Sequence, residues 1–180
     1  EYEQAIVVEP SLVEHGYDAP RGRAYLDDLE SRLGGLAGVA SLTRTSTPPL
    51  GGMRITASIE IEGRRHDVFI HQVDAGYLGT MKIPLLRGRN LLAGDESGVV
   101  VSDSLARKRW PNEDPLGQPF STGDPTPLIV VGIAGNARSL ALQDPDAMEL
   151  YRLAREADLP GMSVVLRTLG PPAALLAPVG

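Results

Sequence analysis

Two spacings of apolar residues organise this chain. Met53, Ile55, Ala57, Ile59 and Ile61 alternate with Arg54, Thr56, Ser58, Glu60 and Glu62. A period of two belongs to a strand with one buried face and one wet face. Gly63-Arg64-Arg65 then turns the chain into His66–Val73, which reads as the antiparallel partner. The other spacing is helical. Leu26, Leu29 and Leu33 fall on one stripe, with Tyr25 a turn before Leu29, and predict a helix over about Ala19–Leu33. Asp18 is its expected N-cap, Pro20 lies in its first turn, and Gly34-Gly35 ends it.

Shorter segments complete the pattern. Ala5–Val8 and Val39–Thr45 read as strands flanking that helix, so the chain opens with a β-α-β unit. Thr47-Pro48-Pro49-Leu50-Gly51-Gly52 reads as a connector between lobes. Ala75–Met81 predicts a short helix, stopped by the restriction that Pro84 places on Ile83. An Arg87-Gly88-Arg89 turn follows. Val99-Val100-Val101 is apolar throughout, as in a strand covered on both faces. Ser102 or Asp103 caps a helix that runs to Trp110, because Pro111 forbids continuation. An Asp114-Pro115-Leu116-Gly117 turn leads into a further strand, and Leu128–Ile133 and Ser163–Thr168 read as strands too. A helix begins after Pro171-Pro172 and takes in Leu175-Leu176. Residues 149–157 stay open, since their local propensity is helical but no periodicity fixes them.

Composition narrows the classes. The 180 residues are 42% hydrophobic and 22% charged, enough apolar material for a core. A net charge of −6 with interspersed signs argues against nucleic acid as a partner. There is no cysteine, which removes disulfides and thiolate metal sites. The longest apolar run, Leu128–Ala134, falls far short of the about 20 residues that span a bilayer.

A search for chemistry names no catalytic, cofactor-binding or metal residue. His66 and His71 lie an odd number apart on one strand and so point to opposite faces, where they cannot share a metal. His15 stands alone in a loop. A catalytic histidine needs an orienting carboxylate and a nucleophile, and sequence nominates neither. Asp27-Asp28, Glu113-Asp114 and the Asp144/Asp146 pair lack the ladder of a calcium loop. Asp28 with Arg32 is an i,i+4 helix pair, and Asp144-Pro145 is a turn former. Gly132 and Gly135 follow a strand but lack the first glycine of a dinucleotide turn. Arg87/Arg89 and Arg107-Lys108-Arg109 sit among acidic residues and read as solvated faces. Trp110 reads as a core plug.

The order of elements from Ala75 to Phe120 resembles the extracytoplasmic domain of MacB/FtsX-type ABC transporter permeases. Gly16-Tyr17-Asp18, Leu36-Ala37-Gly38-Val39, Pro49-Leu50 and Glu62-Gly63 fit the same resemblance. So do Val130-Val131-Gly132-Ile133 before Ala137-Arg138, and Val165-Leu166-Arg167-Thr168. The resemblance implies an α+β, two-lobed fold. Residues 1–47 and 160–180 would form a porter-like β-α-β lobe whose closing helix and strand are cut short. Residues 48–159 would form an inserted, mainly β, sabre-like lobe, and Glu149–Leu153 would be a strand.

The implied function is mechanical and not enzymatic, with no cofactor. A separate cytoplasmic ATP-binding subunit drives the permease, whose helices move this external domain against a substrate or a periplasmic partner. One lobe rotating on the other supplies the motion. A second permease copy is the expected dimer partner, and an open first strand invites dimerisation. The location implied is the periplasmic face of the bacterial inner membrane, as a loop of a multi-pass protein. The alternative is a periplasmic module that binds a small molecule or peptide between its lobes.

Overall fold

Burial follows the period-two spacing and only part of the helical one: Leu26 is buried and Leu29 and Leu33 are half-buried, but Tyr25 is exposed and meets Tyr17 at the surface. The structure, a computed structural model, describes residues 4–49, 55–123, 127–137 and 146–176. Ten strands occur among them: β1 (Ala5–Val8), β2 (Val39–Thr45), β3 (Ile55–Ile61), β4 (Arg64–Val73), β5 (Leu85–Gly88), β6 (Gly98–Ser102), β7 (Pro119–Phe120), β8 (Leu128–Ala134), β9 (Glu149–Leu153) and β10 (Ser163–Thr168). Helices α1 (Ala19–Gly34), α2 (Tyr77–Thr80), α3 (Asp103–Arg109) and α4 (Ala173–Leu176) join them, with a 3-10 helix over Glu156–Gly161. The fold is α+β, with a large mixed sheet and few helices.

The sheet runs β1-β10-β2-β4-β9-β6-β8-β5, with β3 beside β4 and β7 beside β8. Strands β1 and β2 both pair antiparallel to β10, so the opening β-α-β unit is split by a strand from the far end of the chain. The β2–β4 ladder is a single pair, Thr45 with Val73. Beyond it, β4 and β9 are parallel, β9 and β6 antiparallel, and β6 and β8 parallel.

Period two decides which residues share a core. Ala57, Ile59 and Ile61 are buried while Thr56, Ser58 and Glu60 are exposed, as the alternation predicts. Met53 and Arg54, with Leu50 to Gly52, lie outside the described residues. Val99 and Val101 enter one apolar cluster, with Val68, Leu105, Trp110 and Phe120, whereas Val100 enters another on the opposite face. All three valines have 0% exposure. Trp110 is buried and packs against Phe120 at a ring separation of 6.0 Å. A third cluster lies beneath α1, where Leu26 and Leu12 meet Leu159, Met162 and Val164. Gly22 lets α1 approach closely, since a Cβ there would sit 3.1 Å from Pro160 Cγ.

The expected caps are present. The Asp18 carboxylate accepts from the Arg21 amide at 2.9 Å. Ser102, not Asp103, caps α3 by accepting from the Leu105 amide at 3.3 Å.

Three readings change or resolve. The Arg87-Gly88-Arg89 segment is not a turn: it ends the edge strand β5 and continues alongside β8, where the Arg89 amide donates to Val131 O at 2.9 Å. Gly88 has φ +73, and a Cβ on it would collide with Val131 O, just as one on Gly132 would collide with Arg89 O. These two glycines let adjacent backbones close up without side chains between them. Residues 149–153 form a strand because β4 and β6 offer hydrogen bonds on both sides, a pull that outweighs local helix propensity. The start of the connector, Thr47-Pro48-Pro49, is buried and not a free linker.

Candidate functional site

The polar side chains gather in three places, and their geometry limits what each can do. The first is the joint between β2 and β4. Asp74 follows β4 and accepts from the Thr43 hydroxyl at 2.5 Å, the Arg44 amide at 2.8 Å and the Gly76 amide at 2.9 Å. Beside it, the Arg44 guanidinium makes a two-point contact with Glu30 of α1, at 2.7 and 2.6 Å, and reaches Asp27 at 2.6 Å. Burial of Arg44 works to lower its pKa. The hydrogen bonds to Glu30 and Asp27 outweigh that and hold it above the ordinary arginine value, so the charge is permanent. An open cavity of about 490 Å³ lies along this joint, walled by Val73, Leu153, Leu159 and Met162. Its charged residues are Arg23, Glu30, Arg44 and Asp74. Arg23 lies 3.6 Å from Glu156, and the other three bond as described. Each charge of this cleft therefore has a partner: Arg44 and Glu30 hold each other, Arg23 faces Glu156, and Asp74 is held by a hydroxyl and backbone amides.

The second place is inside the sheet, on the face that carries Val73 and Val100. His71 and Glu149, each with 1% exposure, approach to 3.5 Å between Nε2 and Oε1. This is an electrostatic contact and not an aligned hydrogen bond, since both ring nitrogens and Oε1 lack a hydrogen-bond partner among the described residues. The other carboxylate oxygen accepts from the Tyr151 hydroxyl at 2.9 Å and the Ala137 amide at 3.3 Å. The imidazole stacks on Tyr151 at 4.9 Å between ring centres, with Tyr77 at 6.4 Å. The structure thus supplies the carboxylate beside His71 that sequence left unnamed. Both side chains are buried, and the contact lies between the neighbouring strands β4 and β9. Sequence carried no signal for it, because Glu149 joins His71 only through the parallel pairing of β9 with β4.

The third place is the surface. Arg87 pairs with Asp114 at 2.8 Å, Arg89 with Asp95 at 2.6 Å, and Arg107 with Asp103 at 2.7 Å. Asp28 and Arg32 meet at 2.9 Å on α1. Asp95 is held below the usual carboxylate range by the Arg89 hydrogen bond and then by the Leu92 amide. The Leu116 amide and then Arg87 do the same for Asp114. These are the solvated faces expected from the sequence. His66, of opposite parity to His71 on β4, faces away from it and sits opposite Ile59 in the ladder, and His15 is exposed. Among the described residues no three His, Asp or Glu side chains cluster to hold a metal ion. None of their helices is long and apolar enough to cross a membrane. Asp144-Pro145 and whatever follows Ala137 up to Pro145 lie outside the described residues.

Known structures share this architecture. The periplasmic region of MacB from Actinobacillus actinomycetemcomitans superposes with a TM-score of 0.57 at 17% identity, over 82% of this chain and 67% of that one. The extracellular domain of the noncanonical ABC-type transporter YknZ from Gram-positive bacteria gives 0.58 at 16% identity, over 81% and 74%. A domain of a putative permease from Porphyromonas gingivalis gives 0.56 at 17%, over 82% and 72%. At such identities the likeness shows the fold. Among curated protein sequences none matches. The sequence itself matches the MacB-like periplasmic core domain over residues 3–168, and the chain belongs to that family of extracytoplasmic domains of ABC transporter permeases.

Proposed function

We propose that this chain is a non-catalytic coupling domain on the external face of a membrane permease. The observation that carries the reading is the family match across residues 3–168. In this reading a separate cytoplasmic subunit hydrolyses ATP, and the helices of the permease carry the motion across the bilayer. The domain, standing beside its counterpart on a second permease copy, delivers that motion to a periplasmic substrate or partner. Residues 1–47 and 160–180 act as the porter-like lobe and residues 48–159 as the sabre-like lobe. The site is the periplasmic face of the inner membrane.

Ligand capture in the cleft is the weaker reading. A binding pocket presents a few convergent polar groups to its guest, whereas Arg44, Glu30 and Asp74 are already bonded to each other's elements.

The test uses the full permease with its ATPase in nanodiscs. Spin labels at Arg65→Cys, on the exposed β3–β4 hairpin, report the distance between the two copies. That distance should differ between the nucleotide-free and ADP–vanadate states. A distance indifferent to nucleotide removes the coupling role.

A further inference from the structure

Backbone pairing across the β2–β4 joint is minimal, yet the joint is dense in side chains. Asp74 ties the β4–α2 turn to Thr43 and Arg44 of β2. The Ser46 amide donates to Gln72 O at 2.9 Å, and the Gln72 amide returns to Ser46 Oγ at 3.2 Å. At the other end of α2, Arg167 of β10 has 8% exposure and donates from Nε to the Thr80 carbonyl at 2.7 Å. Between these two anchors lies one apolar cluster fed from both sides. Tyr77, Leu78 and Met81 bury against Val73, Val100 and Val165, with Ala5 and Val7 of β1 packed on them. Two lobes rotate readily when their contact is small and polar; this contact is apolar and continuous with the core.

We infer that α2, anchored by Asp74 and Arg167, clamps the β1-β10-β2 group and the larger strand group into one rigid lever, in place of a rotation of one lobe on the other. Motion then passes through the domain without loss in an internal hinge. The inference rests on the coupling reading, but its test reads motion within a single copy, so either fails without the other.

The chain has no cysteine, so Ser31→Cys on α1 and Arg65→Cys on the hairpin accept labels cleanly. Double electron–electron resonance on the full chain should give one narrow distance distribution. Asp74→Asn with Arg167→Met should broaden it about twofold as the groups begin to rock. Far-UV circular dichroism checks folding, and should the double variant unfold, Asp74→Asn alone is read against the same expectation. A broad or bimodal distribution in the unaltered chain overturns the rigid lever. A distribution that stays narrow in the folded variant overturns the assignment of the anchors.

Discussion

The central strands and the β1-β10-β2 group solve burial differently. Strand β6 has β8 on one edge and β9 on the other, and its valines feed cores on both faces. Among the described residues strand β1 pairs with β10 alone, and all four of its residues are half-buried. The outer group is covered on one face by α1, whose deepest contact is Leu26, and on the other by the cluster around α2. The contrast teaches that a run of uninterrupted valines marks a strand covered on both faces, while an amphipathic helix marks a sheet that needs a lid. Stability should therefore be concentrated in the centre.

The largest expected effect is at Trp110, whose truncation to alanine should cost about 3–5 kcal/mol through the cavity it leaves. Urea unfolding measures it, and an unchanged midpoint would take Trp110 out of the core. Leu26→Ala should follow at about 2–4 kcal/mol. Should it exceed Trp110→Ala in the same assay, stability lies under the helix and the contrast is reversed. Next comes Asp18→Ala, which removes the α1 cap and should cost about 1 kcal/mol; hydrogen exchange should then show faster opening in the first turn of α1 before anywhere else.

Acid gives the smallest effect. The folded-state pKa of Asp95 lies below its unfolded value, so its pairing with Arg89 stabilises the fold above the unfolded pKa. That contribution fades as pH falls through the folded one. The pair is at the surface, so the gain is slight and screened by salt. The stability gap between the unaltered protein and Asp95→Asn should close on going from about pH 7 to about pH 2. A gap that widens towards acid contradicts this sign.

Local pattern carried much of the fold. The α1 boundaries, the Asp18 cap, the buried face of β3 and the placement of Trp110 all rest on residues within a turn or two of each other. Strand β9 could not be decided locally, because Glu149–Leu153 has helical propensity and its partners on β4 and β6 lie far away in the chain. The path of Arg87-Gly88-Arg89 depended on glycines whose close neighbours are on β8. Of the polar clusters, the Asp28–Arg32 pair was readable from its spacing and the basic clusters from their charged surroundings, but the partners of Arg87 and Arg89, the His71–Glu149 contact and the Asp74 joint were not.

Sequence alone determined which segments are amphipathic, where helices start and stop, and which strand is wholly apolar, since each depends on short-range periodicity and capping. Tertiary structure decided the strand order, the insertion of β10 between β1 and β2, the partner of His71, and the cluster that two strand groups share around α2. Those features come from hydrogen bonds and apolar contacts between residues distant in the chain, and no short-range pattern specifies which distant surfaces will meet.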